Sequence, residues 1–135
     1  MRMDFQPQTY TYKEIDGCSI QCDVYRPSFA PRRNSTILYI HGGCLIYGSR
    51  RDINLEQLRL YLEAGHVLVS IDYRLAPETK LPGIIEDLQD ALRWVRDQGP
   101  APFQSDAGCV AVVGHSASET PSYSANKRWL RSEMI

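Results

Sequence analysis

Three short apolar runs constrain the fold of this chain more than any other feature: Thr36 to Ile40 (TILYI), Val67 to Tyr73 (VLVSIDY) and Cys109 to Val113 (CVAVV). A strand with one face in water alternates apolar and polar residues, whereas a nearly uninterrupted run reads as a strand covered on both faces. Helical spacing separates the runs. Between Arg50 and Gly65, Leu55, Leu58 and Leu62 share a face, Asn54 with Gln57 resembles a capping box, and Gly65 supplies the stop. Further on, Ile84, Ile85, Leu88, Ala91, Leu92 and Val95 recur at helical intervals, with Glu86 and Asp87 early, Arg93 and Arg96 late, and Gly99-Pro100 as the end. Covered strands alternating with helices imply parallel pairing through right-handed crossovers, a doubly wound α/β sheet.

The amino-terminal stretch has a different character. Residues 9–15 (TYTYKEI) and 19–25 (SIQCDVY) are rich in β-formers, and Asp16-Gly17 between them is a hairpin turn signal. The expected architecture is therefore a mostly parallel sheet with an antiparallel amino-terminal hairpin. With 135 residues there is room for one domain of ordinary size and not two.

Charge and cysteine usage narrow the function classes. Fifteen Lys and Arg against sixteen Asp and Glu leave a net charge of −1, so no basic footprint recommends nucleic acid or an anionic membrane surface. No stretch approaches the ~20 apolar residues that span a bilayer, and the first residues lack a signal-like apolar core, so the reading is cytoplasmic. Cys18, Cys22, Cys44 and Cys109 contain no C-x2-C pair and no neighbouring His cluster. On a shared strand the Cα atoms of Cys18 and Cys22 would stand about 13 Å apart, too far for a bridge. Reduced thiols and no metal or other cofactor are expected.

In a doubly wound sheet, ligands gather beyond the carboxyl ends of the strands. Three unusual segments fall there: His41-Gly42-Gly43-Cys44, Asp72 to Glu78 (DYRLAPE) and Gly114-His115-Ser116-Ala117-Ser118. The last has the shape of a nucleophile elbow, G-x-S-x-G with Ser118 in place of the second glycine; such a turn projects a serine from between a strand and a helix. An N-cap serine after a buried strand is the alternative. The glycine pair at 42–43 would free backbone N–H groups to face a developing negative charge, with the N–H of Ala117 added by the elbow. That combination describes an oxyanion hole; a plain flexible turn is the other reading of His41-Gly42-Gly43. His41 suits a brace for the loop better than a base.

HGGC at 41–44 with Tyr47-Gly48-Ser49 after it, DYRLAPE at 72–78 and GHSAS at 114–118 together resemble the hormone-sensitive-lipase-like esterases of the α/β-hydrolase fold. The resemblance covers residues 10 to about 118. It implies Ser116 as nucleophile, Gly42, Gly43 and Ala117 as the oxyanion hole, and Asp72 to Glu78 as scaffold, fixed through Pro77 and a local pairing of Arg74 with an acid. Where the family has a third glycine this chain has Cys44, whose backbone is less free to take a positive φ.

A serine hydrolase also needs a base and an acid, which in this fold follow the serine in the order acid, then His. None of the nineteen residues after Ser116 is histidine, and the three histidines are His41, His66 and His115. Residues 1–118 thus read as the amino-terminal half of a hydrolase domain. Residues 119–135 read as an atypical, poorly ordered tail, since Pro121 would interrupt the helix expected after the elbow. A sheet left there would have one raw edge, which predicts self-association. The expected function is carboxylic-ester hydrolysis through Ser116, with this chain inactive alone. A non-catalytic pocket for a small apolar ligand is the alternative, and a nucleotide-binding domain is disfavoured because the elbow lacks a Walker lysine and a dinucleotide glycine pattern.

Overall fold

The computed structural model describes residues 6–28, 35–98, 110–115 and 127–130. The hairpin forms as β1 (Gln8–Ile15) and β2 (Cys18–Tyr25), turning through Asp16 and Gly17 at φ 51° and 78°. The alternation follows: β3 (Thr36–Ile40), α1 (Leu55–Glu63), β4 (Val67–Ile71), α2 (Leu81–Gln98) and β5 (Val110–Gly114), with β6 at Lys127–Leu130. The described strands join in one sheet of order β1-β2-β4-β3-β5-β6. Its centre, β4-β3-β5, is parallel as expected, while β1-β2, β2-β4 and β5-β6 are antiparallel. The sheet is therefore mixed. The outer edge of β5, read from sequence as raw, carries Lys127–Leu130 in antiparallel register.

Helices cover opposite faces, which makes the sheet doubly wound. Ile37, Tyr39, Leu68 and Val113 pack with Leu58 and Leu62 of α1. Leu38, Val67, Val69, Ile71, Val110 and Val112 pack with Ala91, Leu92 and Val95 of α2. Adjacent strand residues thus serve different cores, so both faces demand apolar side chains and the runs lose their alternation. At the margin of the second core an open apolar recess of about 230 Å³ lies among Leu38, Ile40, Leu88, Leu92 and Val112.

Several helix details differ from the pattern read in sequence. Leu55, at the first position of α1, is 63% exposed, and only Leu58 and Leu62 of that trio are buried. Ile85 is exposed at the rim of the recess. Asn54 does cap α1, accepting from the N–H groups of Glu56 and Gln57, but the Gln57 side chain turns to Tyr61 and His115 instead of closing a box. The reciprocal capping box sits one turn earlier, between Ser49 and Asp52. Because α2 begins at Leu81, Asp87 lies beyond its first turn, where the helix dipole is weak.

Asp87 does something else. Its side chain is fully buried and receives Arg74 Nη2 and Lys13 Nζ, each at 2.8 Å. A bulge between Thr11 and Lys13 in β1 makes this arrangement available: it turns Tyr12 into the α2-side core while the next residue, Lys13, also reaches α2. Burial alone would raise the Asp87 pKa; the hydrogen bonds from Arg74 and Lys13 outweigh it and hold the carboxyl below its ordinary value. Nearby in β2, burial, with Asp23 adding to it, pushes the Cys22 thiol up to about 12, so that thiol stays protonated and inert.

Removing the Asp87 charge takes a buried carboxylate from Arg74 and leaves Lys13 with Asp90 at 2.6 Å. Asp87→Asn is expected to lose about 3 kcal/mol at neutral pH, as breaking a buried pair does. Because the folded-state pKa is depressed, the wild-type advantage is complete above the unfolded carboxyl pKa of ~3.9 and fades as pH falls through the folded value. Urea unfolding followed by tryptophan fluorescence at pH 7 and pH 3 measures both. A difference below about 1 kcal/mol, or one equal at the two pH values, contradicts this account of Asp87.

Candidate active site

The parallel register sets the site. Ile40 at the end of β3 pairs with Gly114 at the end of β5, and the N–H of His115 donates to Ile40 O at 2.9 Å. The loop beginning at His41 and the segment beginning at His115 therefore leave neighbouring strands at the same level. Ser116, Ala117 and Ser118 lie outside the described residues, as does Cys109. Gly42 and Gly43 are described and stand next to the point where the chain runs into Ser116.

Residues 43–47 form a tight turn, with the N–H groups of Ile46 and Tyr47 donating to Gly43 O at 3.0 and 3.1 Å. Among the described residues, no hydrogen bond takes up the N–H of Gly42 or Gly43. Gly43 sits at φ 128°, and a Cβ there would fall 2.0 Å from the Tyr47 carbonyl oxygen. Gly48, at φ 107°, lets the returning strand of the loop pass His41 and Gly42, since a Cβ would meet Gly42 O and the His41 ring at 2.5 Å. Cys44, read as resisting positive φ, nevertheless adopts 56°, and Leu45 adopts 65°. Hydrogen bonds on both sides of the turn impose that conformation on them.

His41 is buried and acts as the brace anticipated from sequence. Its Nδ1–H donates to Gly42 O at 2.7 Å, and its ring stacks on Tyr73 with centroids 4.3 Å apart. The Tyr73 hydroxyl donates to His41 O at 2.9 Å. Burial pushes the Tyr73 phenol up to about 12, so it remains a neutral donor at ordinary pH. Among the described residues, His41 Nε2 is enclosed with no hydrogen-bond partner.

The DYRLAPE segment supports this loop from beneath. The N–H of Ala76 donates to Leu45 O at 2.7 Å. Asp72 receives the Arg50 backbone N–H at 2.7 Å and the Arg50 guanidinium, which also reaches Asp23 at 3.0 Å. Tyr12 donates its hydroxyl to the Asp72 carbonyl. Arg74 does pair with an acid, though the partner is Asp87 on α2 and not a neighbour in the segment. Sequence reading missed Tyr73, Arg50 and Asp23; the Ser49-x-x-Asp52 spacing was the one local signal that residues 49–52 form an ordered turn.

The other two histidines are occupied elsewhere. His66 precedes β4, at the opposite end of the strands, and its Nδ1 meets the Ser35 hydroxyl. His115 donates Nε2–H to Gln57 Oε1 at 2.9 Å and packs against Tyr39. Among the described residues no group of three or more His, Cys, Asp and Glu is placed to hold a metal, and no helix is long and apolar enough to cross a membrane.

A family model described as alpha/beta hydrolase fold matches residues 37–118. The chain belongs to this hydrolase family. Among solved structures, the chain is similar to a thermophilic esterase of Thermogutta terrifontis, at 27% identity and a TM-score of 0.73 over 82% of this chain and 40% of that one. It is also similar to the thermostable carboxylesterase EstE1 from a metagenomic library, at 35% identity and a TM-score of 0.73 over 87% of this chain and 39% of that one. These neighbours agree with the esterase resemblance of the three motifs. Among curated proteins, the 5-methylorsellinic acid synthase of Aspergillus terreus is 41% identical over 92% of this chain. The non-reducing polyketide synthase nvfA of Aspergillus novofumigatus is 45% identical over 66% of it. The chain spans only 5% and 4% of those two synthases.

The geometry of the turn makes a contrast testable. Gly43→Ala places a methyl group against a backbone carbonyl at a φ that side chains rarely adopt, whereas a Cβ at Gly114 meets nothing within 4 Å. Gly43→Ala is expected to lower stability by at least about 2 kcal/mol, and Gly114→Ala to stay within about 0.5 kcal/mol. Thermal unfolding of the two variants beside the wild type checks this, and similar melts for both would show that the turn is not held as described.

Proposed function

We propose that this hydrolase provides the nucleophile and the oxyanion-binding loop for cleavage of acyl esters and thioesters, with Ser116 attacking the carbonyl and the N–H groups of Gly42, Gly43 and Ala117 receiving the oxyanion. The observation that carries this reading is the pairing of Ile40 with Gly114, from which the glycine loop and the segment leading to Ser116 depart side by side. Attack by the serine oxygen moves the carbonyl π electrons onto oxygen; collapse expels the alcohol or thiol and leaves an acyl-serine, which water then hydrolyses to the free acid. Stabilising the oxyanion with preorganised N–H groups is worth about 3 kcal/mol per donor in such sites.

Each of the three histidines is engaged in a contact that makes it a poor base. His41 spends Nδ1 on Gly42 and encloses Nε2, His66 lies at the far end of the sheet, and His115 is bonded to Gln57. The synthase relatives favour a thioester as the physiological substrate class. A synthase named for 5-methylorsellinic acid yields an aromatic carboxylic acid, and release of such an acid from a thioester is the chemistry just described.

Intact-protein mass spectrometry after incubation with p-nitrophenyl acetate tests the proposal. Removing one member of a triad leaves roughly 10³-fold to 10⁴-fold catalysis over water from the oxyanion hole and binding. Slow acetylation at Ser116 is therefore expected, accelerated by added imidazole as a substitute base and absent in Ser116→Ala. A folded chain that acquires no adduct, or one that Ser116→Ala does not remove, would overturn it. In the first case a non-catalytic binding pocket is the reading that survives.

A further inference from the structure

The glycine loop is held from behind, by its carbonyls. Its peptide bonds are trans, so in each unit the C=O and the N–H point in opposite directions, and a bond that fixes one fixes the other. The N–H of Gly42 belongs to the unit whose carbonyl is His41 O, which receives the Tyr73 hydroxyl at 2.9 Å. The N–H of Gly43 belongs to the unit whose carbonyl is Gly42 O, which receives His41 Nδ1–H at 2.7 Å. The imidazole that makes this second bond lies on the Tyr73 ring, with centroids 4.3 Å apart and planes 10° from parallel. One residue thus stands behind both units, directly for the first and through His41 for the second. The bonds from Ile46 and Tyr47 to Gly43 O are local to the turn, whereas Tyr73 lies just beyond the end of β4 and refers the two units to the sheet. A buried phenol needs an acceptor, and burial keeps this one protonated. By taking the carbonyl of the residue on which its own ring is stacked, Tyr73 brings ring and hydroxyl to bear on one target.

We propose that Tyr73 is a positioning residue for the N–H groups of the glycine loop: its hydroxyl orients and polarises the His41–Gly42 peptide, and its ring holds His41 where it does the same for the Gly42–Gly43 peptide. This rests on the hydrolase reading of the loop. A donor aimed before the reaction costs no reorganisation when charge develops on a carbonyl oxygen. Hydrogen bonds in a chain also strengthen one another, by about 10–30% per bond. A carbonyl that accepts a hydrogen bond draws electrons from the nitrogen of its own unit, which makes that N–H the stronger donor. Tyr73 acts through the peptide units and not on the substrate.

Nitrogen NMR of the labelled chain reads this without reference to the serine. In Tyr73→Phe, which keeps the stacked ring and removes the hydroxyl, the Gly42 amide nitrogen is expected to move upfield by more than that of Gly43. Tyr73→3-fluorotyrosine, whose more acidic hydroxyl donates more strongly and leaves no carbonyl unpaired, is expected to move it downfield, and decides alone should the Phe variant not fold. The consequence for the reaction is read from acetylation by p-nitrophenyl acetate with imidazole present, followed by intact mass. Tyr73→Phe is expected to lower the rate at saturating ester about tenfold, part of the 10²-fold to 10³-fold that loss of a whole donor costs, with the half-saturating ester concentration within about twofold. A tyrosine with a packing role alone would lower the melting temperature and leave the Gly42 resonance and the rate of the folded chain where they were. If the wild type is acetylated and folded Tyr73→Phe is acetylated equally fast, or if the Gly42 resonance moves in neither variant, the positioning role is overturned and the hydrolase reading stands. If the wild type acquires no adduct, the hydrolase reading fails, and the two resonance shifts decide whether Tyr73 sets the Gly42 N–H.

Discussion

The buried carboxylate of Asp87 is the contact on which the geometry of the site depends. It gathers Lys13 from β1, Arg74 from the segment after β4, and its own helix α2 into one charged cluster inside an apolar setting. Arg74 directly follows Tyr73, which stacks on His41, and lies two residues before Ala76, which bonds Leu45. The position of the glycine loop is thus referred through Arg74 to α2 and the sheet. Loss of the carboxylate would take from Arg74 its contact with α2 through Asp87 and leave Lys13 with Asp90 at 2.6 Å.

A second charged cluster repeats this device on the other side of the loop. Arg50 lies between Asp23 on β2 and Asp72 at the end of β4, and its backbone carbonyl receives the Ser70 hydroxyl. Apolar packing is non-directional, so two cores of valine, leucine and isoleucine fix the layers without fixing where an adjoining loop begins and ends. Guanidinium–carboxylate contacts are directional and short in reach. Together the clusters hold both ends of residues 41–50, and the loop between them keeps its positive φ angles because neither end can move to relieve them.

The layered fold was legible because both of its periodicities are written in residue type. TILYI and CVAVV have to be two-faced strands, and the spacing from Ile84 to Val95 has to be a helix. Errors fell where a residue's partner is distant in sequence. Asp87 reads as a helix-dipole acid until Lys13, 74 residues upstream, is brought to it by a bulge that no local pattern announces. Leu55 and Ile85 fit the helical stripe but occupy its end and its margin, where the sheet does not reach. In the glycine loop, Gly43 was legible from backbone need, since its φ of 128° and the nearness of Tyr47 O both call for glycine. The exposure of residues 45–47 was not, since Leu45-Ile46-Tyr47 is indistinguishable in composition from a buried run. Only the turn bonds and positive φ angles show that it faces outward.

That outward-facing rigidity bears on how such a site spends binding energy. A floppy apolar loop would collapse onto the sheet and would have to be reopened and ordered by each ligand, at about 0.5–1.5 kcal/mol for every side chain immobilised. Here the ordering cost is met during folding, by the His41–Tyr73 stack, the Ala76–Leu45 bond and the ion clusters behind them. The same rigidity describes His41, which is fixed between Gly42 O and the Tyr73 ring and so holds the glycine turn in place. Within this hydrolase fold His41 thus has a structural use, held by Gly42 O on one side and the Tyr73 ring on the other.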